Sequence, residues 1–456
     1  MSFLQPSLAV SQSAQNGGIS EEEKTTPLFS WSFKETYALL GYERVTKRRD
    51  GSSTAADPAE IIFLNTNTPW SAFLCGSQGS GKSYTLSCML EGCLIPSKKI
   101  GKLPKPLTGI VFHYDTHSSN SICEAAWLSS PNIKVNVLVS LSNFHRLKAL
   151  YSRIPAITVQ PLKLRSKHLN VERMRDLMAF GPAERPPLYM QVLYGILREI
   201  AIQRPGGFDL ADFSERVAQK EFTKDQQIPL ALRLELLTGF MDKDPKKPAY
   251  DLFSPEPGTL TVVDLTDPFV DAGTACTMFD ICLALFLENN NGAGLVVALD
   301  EAHKARPLKR HLCMQYMNNN PAAARFTDNL ITTIRVQRHV ASRIIIATQE
   351  PDIDPKLMDL CSMTIIHRFT SPAWYEVLRQ HIAGLSKIAG NTKEETIAMF
   401  QEIVELNVGE SLLFSPSAML RVKDGVVQKL GFNFIRFKTR PRLTADGGRS
   451  VQAIRE

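Results

Sequence analysis

A chain of 456 residues, 44% hydrophobic and 21% charged, exceeds one ordinary core and is too apolar to remain unfolded. A net charge of +6 admits a polyanionic partner without requiring one, and the lack of an eighteen-residue apolar run excludes a helical membrane span. Eight cysteines (Cys75, Cys88, Cys93, Cys123, Cys276, Cys282, Cys313 and Cys361) show no C-x-x-C pairing, which favours buried reduced thiols inside a cell and disfavours zinc.

Residues 1–27, rich in Ser, Gln and Gly, read as a disordered tail. They lack a basic n-region and an apolar h-region, and Glu21-Glu22-Glu23 is unlike a transit peptide, so the cytoplasm or nucleus is expected and no membrane. Residues 28–60 form an N-terminal flank with Trp31, Phe33 and Tyr37, then Lys47-Arg48-Arg49, a solvated loop or a nuclear signal. The first part of an α/β core is expected over 61–159. Within it Ser71–Cys75 predicts a short buried strand leading into Gly76-Ser77-Gln78-Gly79-Ser80-Gly81-Lys82-Ser83, the pattern G-x-x-x-x-G-K-[ST]. The glycines let backbone N–H groups close on a polyphosphate, Lys82 faces the β/γ-phosphates, and the Ser83 hydroxyl suits Mg²⁺. A helix over Tyr84–Leu94 adds its dipole to that site. The next strand, Ile110–Tyr114, ends at Asp115.

The distance from Lys82 to Asp300 is too long for one crossover helix. Leu193, Ile196, Leu197 and Ile200 share one helical face, as do Leu230, Leu234, Leu237 and Met241 after Pro229 at a helix start. Residues 160–255 therefore read as a helical insertion, and 256–456 as the second part of the core with C-terminal strands. Strands are predicted at Thr259–Leu265, Leu295–Leu299, Arg343–Thr348, Met363–His367, near Glu410–Phe414 and over Phe432–Thr439. Helices are predicted at Thr274–Glu288 and through Asn329–His339, and a capping box at Thr392–Glu395 opens another.

Leu295–Leu299 is an unbroken apolar run ending in Asp300-Glu301-Ala302-His303. A carboxylate at the end of such a strand can hold Mg²⁺ and the next can take a proton from water; alternatively Asp300 only caps the following helix. Gln349 follows a buried strand, where its amide can sit near a γ-phosphate or make local loop bonds. Arg335 and Arg338, at a helix end, can neutralise transition-state charge from a neighbouring subunit or cap the helix.

Together these residues resemble the HerA–FtsK family of ring-forming, nucleic-acid-pumping ATPases. The resemblance spans most of 61–115 and 259–422. It comprises the phosphate loop, Asp115-Thr116-His117, the strand ending Asp300-Glu301, Ile334-Arg335-Val336-Gln337-Arg338, Ala347-Thr348-Gln349, Thr364–Arg368 and Val408-Gly409-Glu410. It implies a RecA-like P-loop NTPase core with a largely parallel sheet that hydrolyses ATP with Mg²⁺. It implies Glu301 as general base, Gln349 as γ-phosphate sensor, Arg335 or Arg338 as finger, a homo-oligomer (usually a hexamer) and double-stranded DNA as the polymer. Departures are Ser118-Ser119 in place of the family's Gly-Glu, Gln337 in place of its Gly, and no room for a HerA-type β-barrel before the core. The letters Asp-Glu-Ala-His also invite a superfamily-two helicase reading, which the absence of a second lobe with its own arginine motif rejects.

Arg436, Lys438, Arg440 and Arg442 recur at every second residue, so a strand extended through Arg442 puts all four on one face. Pro441 confines such a strand to an edge or to its own end. The ladder reads either as protection of an edge or as a DNA phosphate-contact stripe. Three functions follow: a DNA translocase, an ATPase that assembles or remodels a protein complex, or a nucleotide-dependent switch.

Overall fold

Apolar runs of five to seven residues, closed by Gly, Pro, Asp or Ser, become the strands of one mixed sheet that organises the molecule. The computed structural model describes residues 25–30, 37–43, 61–115, 122–178, 188–204, 208–242, 256–289, 292–302, 321–351, 353–388, 393–423 and 426–447. Residues 1–24, Trp31, Phe33, Lys47–Arg49, Thr116–Ser119, His303, Cys313 and Thr392, singled out above, lie outside them.

The parallel half carries β4 (Ser71–Cys75), β6 (Thr108–His113), β7 (Lys134–Val139), β8 (Ile157–Pro161), β9 (Thr259–Asp264), β10 (Leu295–Asp300), β11 (Ser342–Thr348) and β12 (Met363–His367). Their order is β12-β4-β11-β10-β6-β9-β7-β8, with every neighbouring pair parallel. Near-continuous burial along β4, β6, β9, β10 and β11 follows from cover on both faces. One face packs on the helix Lys82–Leu94 through Leu74, Val111, Ala298 and Ile345. The other packs on helices Ala272–Glu288 and Pro321–Val336 through Phe112, Val297 and Ile346. The expected α/β class with a largely parallel sheet is present.

The antiparallel half comprises β1 (Leu28–Ser30), β2 (Tyr37–Glu43), β3 (Ile61–Asn65), β5 (Gly101–Lys102), β13 (Glu410–Phe414), β14 (Met419–Lys423), β15 (Val426–Lys429) and β16 (Phe434–Thr439). It continues the same sheet as β15-β14-β1-β3-β2-β16-β13, joined to β12 through antiparallel β13, with β5 paired to β2; only β1 with β14 is parallel. The N-terminal flank is therefore part of the sheet, a role its short and scattered apolar runs did not reveal.

Among the described residues, four α-helices (Val171–Met178, Leu188–Gln203, Leu210–Ala218, Lys224–Gly239) lie between β8 and β9. Leu193, Ile196, Leu197 and Ile200 are buried as expected, and they join the cluster on one face of the sheet rather than a separate core. Two local readings are corrected. Pro229 lies inside its helix, not at the start, and Met241 falls beyond it, bridged as a short strand to Leu164. The helix carrying Arg335 begins at Pro321 and ends at Val336, before Arg338. No described helix is long and apolar enough to cross a membrane.

Candidate active site at the carboxyl ends of the parallel strands

The register brings the separately recognised motifs to one edge of the sheet. Cys75, the last residue before the phosphate loop, stands beside Thr348 on β11, and Asp300 stands beside His113 on β6. In an open parallel sheet such carboxyl ends share one crevice. The strand that leads into Gln349 lies between the phosphate-loop strand and the strand that ends in Asp300 and leads into Glu301.

The loop Gly76–Gly81 runs into the helix Lys82–Leu94, whose first turn has no side-chain cap and no acidic residue. Its leading N–H groups are thus left for an anion. Two glycines are required by their surroundings. A Cβ on Gly76 would come within 2.6 Å of His367 Cβ and 2.8 Å of Ser80 Oγ. Gly81 has φ +106° and faces the Gly409 nitrogen at 3.1 Å. Gln78 and Gly79 are exposed, Ser77, Gly81 and Ser83 half-buried, and Ser80 and Lys82 buried. Lys82 Nζ donates to the Ser77 carbonyl at 3.3 Å, curling over its own loop.

Two later segments brace that loop. Ser77 donates through both N–H and Oγ to the Arg368 carbonyl, at 2.9 Å each, and Gly409 N–H donates to the Ser80 carbonyl at 3.2 Å. These are the Thr364–Arg368 and Val408–Glu410 segments of the sequence resemblance. Beneath the loop His367 is fully buried, and burial, reinforced by the Lys82 ammonium, lowers its imidazole to about 3, so it is neutral.

Glu301 adopts φ +58°, a left-handed conformation uncommon for a residue with a side chain. Ala302 N–H donates to the Ala347 carbonyl at 3.1 Å, tying this turn to β11. Gln349 Nε2 then donates to Glu301 Oε1 at 2.7 Å. Residues 48 apart in sequence are held as one pair. Asp300 is 6% exposed and points to the face that carries the phosphate-loop helix. Its carboxylate lies 3.6 Å from His113 Nδ1, and Cys123 Sγ donates to it at 3.9 Å. Burial, with Asp300 and Asp264 nearby, holds the Cys123 thiol well above the usual range. The donor set fits a nucleotide with its cation: an uncapped helix start, a buried lysine over a glycine loop, and hydroxyl and carboxylate oxygens at Ser83 and Asp300.

Arg335 and Arg338 are exposed at the amino end of β11, Arg338 beside Pro69 and Trp70 ahead of β4. The seven residues of β11 separate them from Gln349 by roughly 20 Å. The structure does not bring them to the phosphate loop of their own chain.

The cation ladder is corrected. β16 ends at Thr439 and is an interior strand between β13 and β2, so neither the edge nor the extension through Arg442 exists. Arg436 pairs with Glu410 at 2.8 Å and Glu402 at 3.3 Å. Arg440 is buried against Glu91 at 2.7 Å. Arg442 reaches Glu124 at 3.0 Å and lies over the Tyr84 ring. Lys438 is exposed. Sequence spacing could not show this, because the carboxylates that hold Arg440 and Arg442 lie more than three hundred residues away.

No protein-family model matches the chain, and no curated protein matches it in sequence. Among solved structures, VirB4 of Thermoanaerobacter pseudethanolicus is similar over 90% of this chain and 98% of that one, with TM-score 0.51 and 12% identity. The bacterial conjugative coupling protein TrwB is similar over 91% and 97%, with TM-score 0.43 and 9% identity. The genome packaging NTPase B204 from Sulfolobus turreted icosahedral virus 2, in complex with ATP-gammaS, is similar over 80% and 97%, with TM-score 0.31 and 12% identity. The likeness to VirB4 establishes a shared fold. The other two add no argument to it.

Proposed function

We propose that the protein is an ATP-driven motor of the HerA/FtsK type that works as a ring of identical subunits on double-stranded DNA. The observation that carries the hydrolytic part is the Gln349–Glu301 hydrogen bond of 2.7 Å at the same strand ends as the phosphate loop. The loop N–H groups and Lys82 bind and orient the β- and γ-phosphates. Ser83 and Asp300 would hold Mg²⁺, which when bound neutralises phosphate charge. Glu301 accepts the proton of the attacking water, and Gln349 fixes the carboxylate so that its free rotation is lost before reaction. Because Arg335 and Arg338 sit at the far end of β11, either can act as a finger only in the site of another subunit, which supports an oligomer.

The DNA part rests on the motif resemblance. The engagement of Arg436, Arg440 and Arg442 by carboxylates leaves Lys438 as the one exposed member of the nominated four and favours a second reading, an ATPase that remodels a protein complex. One experiment separates these. ATP turnover is measured alone, with duplex and with single-stranded DNA, alongside particle mass and mixing of Arg335→Ala or Arg338→Ala protein with wild type. The motor reading expects a ring-sized particle, duplex-stimulated turnover, and activity that falls below simple dilution on mixing. Turnover indifferent to both DNAs transfers the assignment to protein remodelling, and a fully active monomer removes the shared site.

A further inference from the structure

We propose that His113, Cys123 and Asp300 form a binding site for a thiophilic divalent cation, best suited to Zn²⁺, whose occupation withdraws Asp300 from catalysis and stops turnover. The inhibitory half rests on the role proposed for Asp300 above; the metal site does not. All three residues are buried, and their ligand atoms lie within 4.8 Å of one another. The two described edges are 3.6 Å from His113 Nδ1 to Asp300 Oδ2 and 3.9 Å from Cys123 Sγ to the same oxygen. Tetrahedral zinc, with bonds of about 2.0–2.3 Å to N, O and S, requires edges of about 3.4 and 3.6 Å for those pairs. Those two edges need to contract by only a few tenths of an ångström, and the third, between His113 and Cys123, lies within 4.8 Å.

The surroundings favour a cation there. Asp264, Asp300 and Glu124 all act on Cys123 as negative charges. The Cys123 N–H donates to Tyr151 Oη at 3.0 Å, and Tyr151 Oη donates to Asp264 Oδ2 at 2.6 Å, so the Cys123 backbone is tied through Tyr151 to the end of β9. Asp264 also stands beside His113 in the register, which adds a further carboxylate close to the three ligands. Thiol and imidazole select zinc over magnesium, which takes hard oxygen ligands. Binding replaces the thiol proton: an S–H bond breaks, an S–Zn bond forms, and the proton leaves to water. Three protein ligands leave a fourth position for water. Sequence spacing does not reveal the site, since the ligands sit on β6, just ahead of the 3₁₀ turn Glu124–Leu128, and on β10, with none of the close cysteine spacing that marks zinc sites.

The test uses the whole chain with Co²⁺ as a spectroscopic probe and Zn²⁺ as competitor. The wild type is expected to take up one equivalent of Co²⁺ with a thiolate-to-cobalt charge-transfer band that Zn²⁺ erases. Cys123→Ser should lose the band, and His113→Gln should weaken uptake by more than about tenfold. With Mg²⁺-ATP in large excess, micromolar Zn²⁺ should depress wild-type turnover more than about tenfold, reversibly by chelator, and spare Cys123→Ser. Thermal denaturation of metal-free variants checks that they fold, and Cys123→Ala replaces the serine variant where it does not. No band in the wild type, or a band that survives loss of Cys123, overturns the site. A band lost with Cys123 but without zinc inhibition overturns the inhibitory half and, with it, the catalytic assignment of Asp300, while the metal site stands.

Discussion

Two carboxylates near the phosphate loop, Glu91 fully buried and Glu301 half-buried, have opposite fates. Glu91, in the middle of the phosphate-loop helix, is saturated by protein: Arg440 Nη1 at 2.7 Å, the N–H groups of Leu443 and Thr444, and the Thr444 hydroxyl. Arg440 in turn donates to the carbonyls of Leu39, Cys88 and Pro441, so four of its five N–H groups are spent inside the protein. Glu301 is held at one oxygen by an amide, on a turn with a left-handed backbone, at the rim of a crevice. A carboxylate whose hydrogen bonds all end inside the protein anchors the fold, whereas one aimed by an amide at strand ends is placed for chemistry.

The sharpest way to break this contrast is to remove the charge from each. Glu301→Gln keeps the shape and the contact with Gln349 but cannot accept a proton, so turnover should fall about 10²–10⁴-fold with nucleotide binding and melting temperature retained. Single-turnover kinetics and nucleotide titration check it; turnover within a few-fold of wild type removes Glu301 as base. Glu91→Leu should do the reverse. It strands the Arg440 charge in the interior at a cost of about 3–5 kcal/mol in denaturant unfolding. Pairing it with Arg440→Met should recover most of that loss, because both charges then leave together. An unchanged midpoint for Glu91→Leu would show that the network adds nothing to stability.

The smallest effect concerns Glu410 beside Arg436. Burial pushes its carboxyl up, but hydrogen bonds from Arg436 and Asn407 outweigh this and hold it at about 2 against an ordinary 4.5. A depressed carboxyl stabilises the fold above the unfolded value and loses that contribution as the pH falls toward the folded one. The stability gap between wild type and Glu410→Gln should therefore be full at neutral pH and shrink between about pH 4.5 and 2. A gap constant across that window would remove the ion pair as its cause.

Legibility followed the range of the interaction. Ser71–Cys75, Met363–His367 and Glu410–Phe414 were readable residue for residue, because an apolar run bounded by turn residues carries its own signal. The positions of the phosphate loop, Glu301 and Gln349 just past buried strands were readable because each follows such a run. β7 and β8 were lost in the long excursion, since Asn136, Thr158 and Gln160 interrupt their apolar character. β1 and β2 depend on partners from the far end of the chain. Arg440 read as one of four equivalent cations, because nothing local separates a surface cation from one that meets Glu91 across 349 positions.

That separation also sets a timetable for synthesis. Glu91 leaves the ribosome well before residues 440–444, by about 17–70 s at 5–20 residues per second. Through that interval the phosphate-loop helix carries an uncompensated carboxylate on the side meant to be buried. The nucleotide site therefore matures late on a nascent chain, and truncation short of Arg440 should leave the phosphate loop present in sequence but not built.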